Sequence, residues 1–188
     1  MSQSGQAASP ARWQDDPVLL AVLRYWRKKR GDRAMPSRAD IDPTEIEPQV
    51  LPHVIITEVI EVDGRRRFRF RLSGTALKDS VGLDLTGRFV DELNPNKRYA
   101  AYIEGLYGTV IVTRRPVFSS SMAVGSRLDA YRTTRRLMCP LSHDGAHVDM
   151  FLTGQTFQAI GDSEVPTLTY AEDFKPGPTE VIDPETVG

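Results

Sequence analysis

The run Arg65-Arg66-Arg67-Phe68-Arg69-Phe70-Arg71-Leu72 limits what this chain can fold into more than any other. Arginine and apolar residues alternate along it with a period of two. Successive side chains of a strand point to opposite faces. Phe68, Phe70 and Leu72 are therefore expected on one face, and Arg65, Arg67, Arg69 and Arg71 on the other. A slip of one residue would bury the arginines, so the register is strongly specified. Upstream, His53 to Val62 is rich in β-branched residues, and Asp63-Gly64 separates the two runs. Two strands joined by Asp-Gly make a hairpin.

Helix signals precede the hairpin. Asp16 is placed to cap free amides, and Pro17 suits a first helical position, where a missing N–H costs nothing. Leu19, Val22, Leu23 and Trp26 then fall at i, i+3, i+4 and i+7, one apolar stripe that Val18 and Tyr25 widen. Arg27 to Arg30 set positive charge at the negative end of the helix dipole, and Gly31 stops the helix. Pro36, Pro43, Pro48 and Pro52 make the next segment irregular, with Asp42-Pro43 as a second cap.

After the hairpin, Gly74 to Val81 suits a short helix closed by Gly82. Asn94-Pro95 opens a longer one with Tyr99, Tyr102, Ile103, Leu106 and Val110 as its stripe. Ala101, Gly105, Gly108 and Val112 form a second stripe of mostly small residues, which implies that something approaches that face closely. Pro116 to Val124, Leu128 to Pro140 and Ala146 to Ile160 read as three further strands, with Gly125-Ser126 and His143-Asp144-Gly145 as turns.

With 188 residues, 40% hydrophobic and 26% charged, the chain is long enough for one domain with extensions, and its composition excludes a collagenous, coiled-coil or wholly disordered molecule. Its apolar runs are too short for a membrane-spanning helix. Met1 to Pro10 has neither the basic start nor the apolar centre of a secretory signal. The single cysteine, Cys139, excludes an internal disulfide and a cysteine-ligated zinc, and a cytoplasmic setting is expected. The organisation expected is a disordered leader over 1–14, the amphipathic helix over 15–31, a domain over 32–160, and an acidic, mostly irregular tail over 161–188. Leu168, Tyr170 and Phe174 are the expected anchors of that tail.

The net charge of −1 hides an asymmetry: from Gly161 onward there are seven acids and one lysine, a net of −6, which leaves +5 for the rest. Nineteen of the 24 basic residues are arginine. The arginine face of the second strand, with Arg132, Arg135 and Arg136 if their strand is adjacent, suits phosphate-rich ligands or nucleic acid. The reading preferred is an ordinary solvated or ion-paired sheet face, then a protein partner, with nucleic acid third. His53, His143 and His147 are the only imidazoles, and their spacing aims no metal site. Cys139 reads as a small buried hydrophobe. No phosphate-binding glycine loop is present. No catalytic residue and no metal ligand is assigned.

Tyr25-Trp26-Arg27, Met35 to Pro43, Leu51-Pro52-His53, Phe68 to Ala76 and Gly82 to Arg88, in this order and with these elements, resemble the PAS-like family of short alphaproteobacterial proteins. The resemblance covers about residues 18–160. It implies an α+β fold, a five-stranded antiparallel sheet with helices on one face, plus the N-terminal amphipathic helix. It also implies a sensory or protein-interaction module without catalysis. Among PAS types, haem is held by a histidine and flavin by a cysteine between the second and third strands; residues 73–115 contain neither. No cofactor is therefore expected, although noncovalent flavin stays open.

A pocket between sheet and helices is the default ligand site of such an architecture, with Phe70, Tyr99, Tyr102, Leu106, Phe118 and Met122 pointing into it. The stripe Leu19, Val22, Leu23 and Trp26 needs a partner surface, and the resemblance favours a twofold interface between copies. The expected partners are thus a second copy, a signalling protein and a small ligand. The rival reading is a ligand carrier or enzyme on a PAS-like sheet.

Overall fold

Asp16 starts the first helix, α1 (Pro17–Arg30), by accepting the amides of Val18 and Leu19 on its side chain. The computed structural model describes residues 12–93, 97–124, 131–160 and 174–186. The expected Asn94-Pro95 helix start, the strand start at Leu128, the Gly125-Ser126 turn and the anchors Leu168 and Tyr170 lie outside the described residues. The end of the expected leader does not: Trp13 begins a single 3-10 turn, is buried, and donates its indole N–H to Glu180 at 3.4 Å.

The proline-rich segment after α1 is held by local polar contacts. Tyr25 Oη donates to the Asp42 carbonyl at 3.0 Å and accepts the Asp42 amide at 2.8 Å. Asp40 accepts both the amide and the hydroxyl of Ser37. The hairpin follows as β1 (Val54–Val62) and β2 (Arg65–Ser73), with Asp63 and Gly64 both at positive φ in the turn. Then come α2 (Thr75–Val81), α3 (Lys97–Thr113), β3 (Val117–Val124), β4 (Tyr131–Leu141), β5 (Met150–Ile160) and β6 (Lys175–Val181).

The sheet has six strands in the order β2-β1-β5-β4-β3-β6, paired antiparallel throughout, not the five expected. The added strand, β6, lies in the segment read as an irregular tail. Pro176 and Pro178 argue against a strand with two neighbours, but β6 is an edge, where proline is tolerated. Gly177 sits where a Cβ would come within 2.7 Å of the Ser120 carbonyl oxygen, so only glycine lets the strand approach there.

A bulge corrects the face assignment of β2. Ile56 pairs with Leu72 but Thr57 pairs with Phe70, so Arg71 is an extra residue. Phe68 and Phe70 keep one face. Leu72 passes to the other, against the main core.

The two faces carry different layers. Gly154 of β5 abuts α1: a Cβ there would lie 3.0 Å from Val22 and 3.3 Å from Leu19. Trp26, fully buried, donates its indole N–H to the Pro140 carbonyl at 2.7 Å. Phe151, of opposite parity to Gly154, meets Tyr107 of α3 edge-on at 4.8 Å. Tyr107 also stacks on Phe68 at 4.1 Å. Helices therefore cover both faces, α1 one and α3 the other. On the α3 side a smaller cluster joins Ile55, Phe70, Leu77 of α2 and Leu85.

The small-residue stripe of α3 is not a close-packing face. Gly105 is exposed, Gly108 half-buried, and a Cβ on either would meet nothing within 4 Å. Val112, in the same stripe, is 80% exposed. The buried stripe is Ile103, Leu106, Tyr107 and Val110.

Candidate functional site between the sheet and the third helix

Register alone assembles a polar row under α3. Ser119 of β3 pairs with Arg136 of β4, and Arg136 pairs with Gln155 of β5. Directly paired residues project to the same face. One step along on one side, Ser121 pairs with Thr134, and one step on the other side Thr153 pairs with Met138. All six polar side chains are buried. A sheet face under a helix is normally apolar, so this row stands apart from the aromatic packing of Phe68, Tyr107 and Phe151 beside it.

Arg136 is the centre of the row and is 7% exposed. Its Nε donates to Gln155 Oε1 at 2.8 Å and its Nη1 to Ser121 Oγ at 3.2 Å. Its Nη2 donates to the phenol oxygen of Tyr99. The guanidinium also lies 5.6 Å from the centre of the Tyr99 ring. Its acceptors among the described residues are an amide, an alcohol and a phenol. Among the described residues no carboxylate is within ion-pair distance of it. Burying a charge without a counter-charge is costly. Beside it, the hydroxyls of Ser119 and Thr153 are buried and have no hydrogen-bond partner.

Aromatic rings flank the row. Phe174, just before β6, meets Tyr99 edge-on at 5.1 Å and Tyr102 at 5.0 Å. The Tyr102 hydroxyl donates to the Ser120 carbonyl at 3.2 Å. Deeper in the layer, the Tyr107 phenol donates to Thr57 Oγ1 at 3.2 Å, and burial raises its pKa to about 12. Phe174, an expected anchor of the tail, borders this site.

The expected pocket residues do not converge. Tyr99, Tyr102 and Leu106 belong to the α3 side. Phe70 shares that face but packs into the smaller cluster with Leu77 and Leu85. Phe118 and Met122 are on the opposite side of the sheet: Phe118 pairs with Leu137 and Leu137 with Gly154, the residue that abuts α1. Met122 lies four residues from Phe118 in an unbroken register and shares its face. The candidate interface residues Leu19, Val22, Leu23 and Trp26 are 2% exposed or less, covered by their own sheet rather than open to a second copy.

The sequence groups Arg136 with Arg132 and Arg135 as an outer basic face. The side chain of Arg132 lies outside the description. Arg135 faces α1, 3.8 Å from Asp16, and donates to Gln158 at 3.1 Å. Its neighbour Arg136 necessarily faces the other way. The signal available in sequence was an arginine within a strand followed at once by Leu137, Met138 and Cys139, too apolar a setting for an outer edge.

Three arginines of the β2 face, Arg67, Arg69 and Arg71, are ion-paired. Arg67 holds Asp91 and Glu92 and lies over the Phe89 ring at 3.7 Å. Arg69 donates to Glu58 at 2.6 Å, and Arg71 is 3.6 Å from the same carboxylate. Cys139 is fully buried on the α1 side, and burial pushes its thiol well above the usual range. His53 Nδ1 is 3.0 Å from the Gln155 carbonyl; His143 and His147 are exposed beside Asp149 and Asp144. Among the described residues no cluster of three or more histidine, cysteine or acidic side chains is placed to hold a metal ion, and no helix is long and apolar enough to cross a membrane.

A family model described as a PAS domain matches residues 14–155. The chain belongs to the PAS domain family. No curated protein and no solved structure matches it.

Proposed function

We propose that the chain is a non-catalytic sensory or protein-interaction module that holds a small ligand between its sheet and α3. The observation that supports this reading most is Arg136, a buried cation met among the described residues by an amide, an alcohol and a phenol but no carboxylate, with two unpartnered buried hydroxyls on the same face of the sheet. Core packing alone gives no reason to keep that charge dry. The groups assembled there are a guanidinium, an amide, a phenol and hydroxyls. They suit binding and orientation; an acid–base or nucleophilic mechanism calls for a group that titrates near neutrality. Occupancy of the layer would be passed on through Phe174 to β6, which pairs with β3 above the site. A signalling protein is the partner this reading calls for, and the cytoplasm, with one buried thiol, is the setting.

Native mass spectrometry of protein isolated gently from its own host tests the ligand. A discrete added mass that is lost on denaturation is expected. The bare polypeptide mass in every preparation would remove the ligand from the proposal.

A further inference from the structure

We infer that the ligand of this layer is a small monocarboxylate, bound through its carboxylate to Arg136, with its apolar body against the rings of Tyr99, Tyr102 and Phe174. The inference rests on the ligand reading above and adds its chemical class.

Four observations carry it. The first is charge. A guanidinium cannot be deprotonated in a protein, so Arg136 is a permanent cation at 7% exposure without a described counter-ion. The second is unused valence. A guanidinium has five N–H donors, and three are engaged. That leaves one hydrogen on each terminal nitrogen, each able to donate to a carboxylate oxygen. The third is the pair of hydroxyls. Ser119 is 1% and Thr153 4% exposed, and neither oxygen has a partner. Both lie on the α3-facing side of the sheet, Ser119 directly paired with Arg136 and Thr153 two residues from its other neighbour, Gln155. Each can donate to an anionic oxygen. The fourth is the count of charges. Arg136 is the single cation among the buried described residues. One negative charge balances it, whereas a phosphate dianion would leave a surplus in a dry site. The aromatic rings beside it favour a ligand with an apolar body over a bare ion.

The test uses the whole chain and two matched pairs: phenylacetate against phenylacetamide, and hexanoate against hexanamide, with inorganic phosphate as a further probe. Binding is read by amide chemical-shift titration. Each acid is expected to bind at least tenfold more tightly than its amide, and phosphate more weakly than either acid. Arg136→Gln should abolish the preference for acid over amide, Ser119→Ala should weaken acid binding, and Arg67→Gln, on the outer edge, should leave it unchanged. The acid–amide comparison needs only the wild-type chain, so it stands even where Arg136→Gln fails to fold. Equal binding of acids and amides, tighter binding of phosphate, or an acid preference that survives Arg136→Gln would each overturn the inference. A neutral molecule released from the host-isolated protein would overturn the carboxylate while leaving the ligand reading in place. No released molecule and no bound probe would overturn both.

Discussion

The Asp16 carboxylate accepts the Thr156 hydroxyl at 2.6 Å, across 140 positions of sequence. Its other oxygen caps α1 through Val18 and Leu19. One side chain thus sets where the helix begins and where it sits on β5. A helix cap alone is worth about 0.5–2 kcal/mol. Asp16→Ala removes the cap, the Thr156 bond and the charge opposite Arg135 together. It is expected to destabilise by at least about 2 kcal/mol in urea unfolding. The exposed neighbour variant Asp15→Ala should stay within about 0.5 kcal/mol of wild type. Equal effects would show that the cap is not the tie.

The stripe of α1 is interior, so Leu19→Arg with Trp26→Arg should unfold the chain rather than dissociate a dimer. Each site is fully buried, and an unpaired buried charge is among the most damaging substitutions. Loss of the folded circular-dichroism and fluorescence signals is expected. A folded monomer arising from a dimeric parent would mean that α1 joins two chains after all.

The two faces of β2 differ in what they hold. Phe68→Ala empties the space beside Tyr107 and Phe151 and should cost about 3–5 kcal/mol. Arg67→Gln removes the partly exposed ion pairs to Asp91 and Glu92 at the sheet edge and should cost under about 1 kcal/mol. Denaturant titration of the two variants side by side decides it: comparable losses would place the faces wrongly.

His143 has its pKa raised above the ordinary 6.5, chiefly because Asp149 accepts its hydrogen bond and adds a nearby negative charge. A raised folded-state pKa favours the folded chain fully below 6.5, and that contribution fades as pH climbs through the higher folded value. The imidazole C–H resonance of His143 should titrate above that of a free imidazole, and Asp149→Asn should bring it back. An unshifted midpoint in wild type would dissolve the pair.

Local chemistry settled the elements. The Asp16-Pro17 start and Gly31 stop of α1, the Asp63-Gly64 turn and the strand character of Arg65 to Leu72 each depend on neighbours a few residues away, and all appear where the sequence places them. The bulge at Arg71 escaped because it is a property of the pair β1–β2, invisible in either strand. β6 escaped for a similar reason: Pro176 and Pro178 are poor strand residues in isolation and acceptable ones at an edge, and position in a sheet is not written locally. Tyr99, Tyr102 and Leu106 were legible as a helical stripe. Phe118 lies on the α1 side, which alternation could not show, because alternation tells which residues share a face but not which helix covers it.

Arg135 and Arg136 show the division most plainly. By sequence they are the same residue twice, and strand periodicity determines that they point to opposite faces. Which face lies under α1 beside Asp16, and which under α3 beside Tyr99 and two unpartnered hydroxyls, was decided only when helices closed over both sides of the sheet. A charge takes its meaning from what surrounds it after water has been excluded, and those surroundings come from β3, β5 and α3, segments remote from it in the chain.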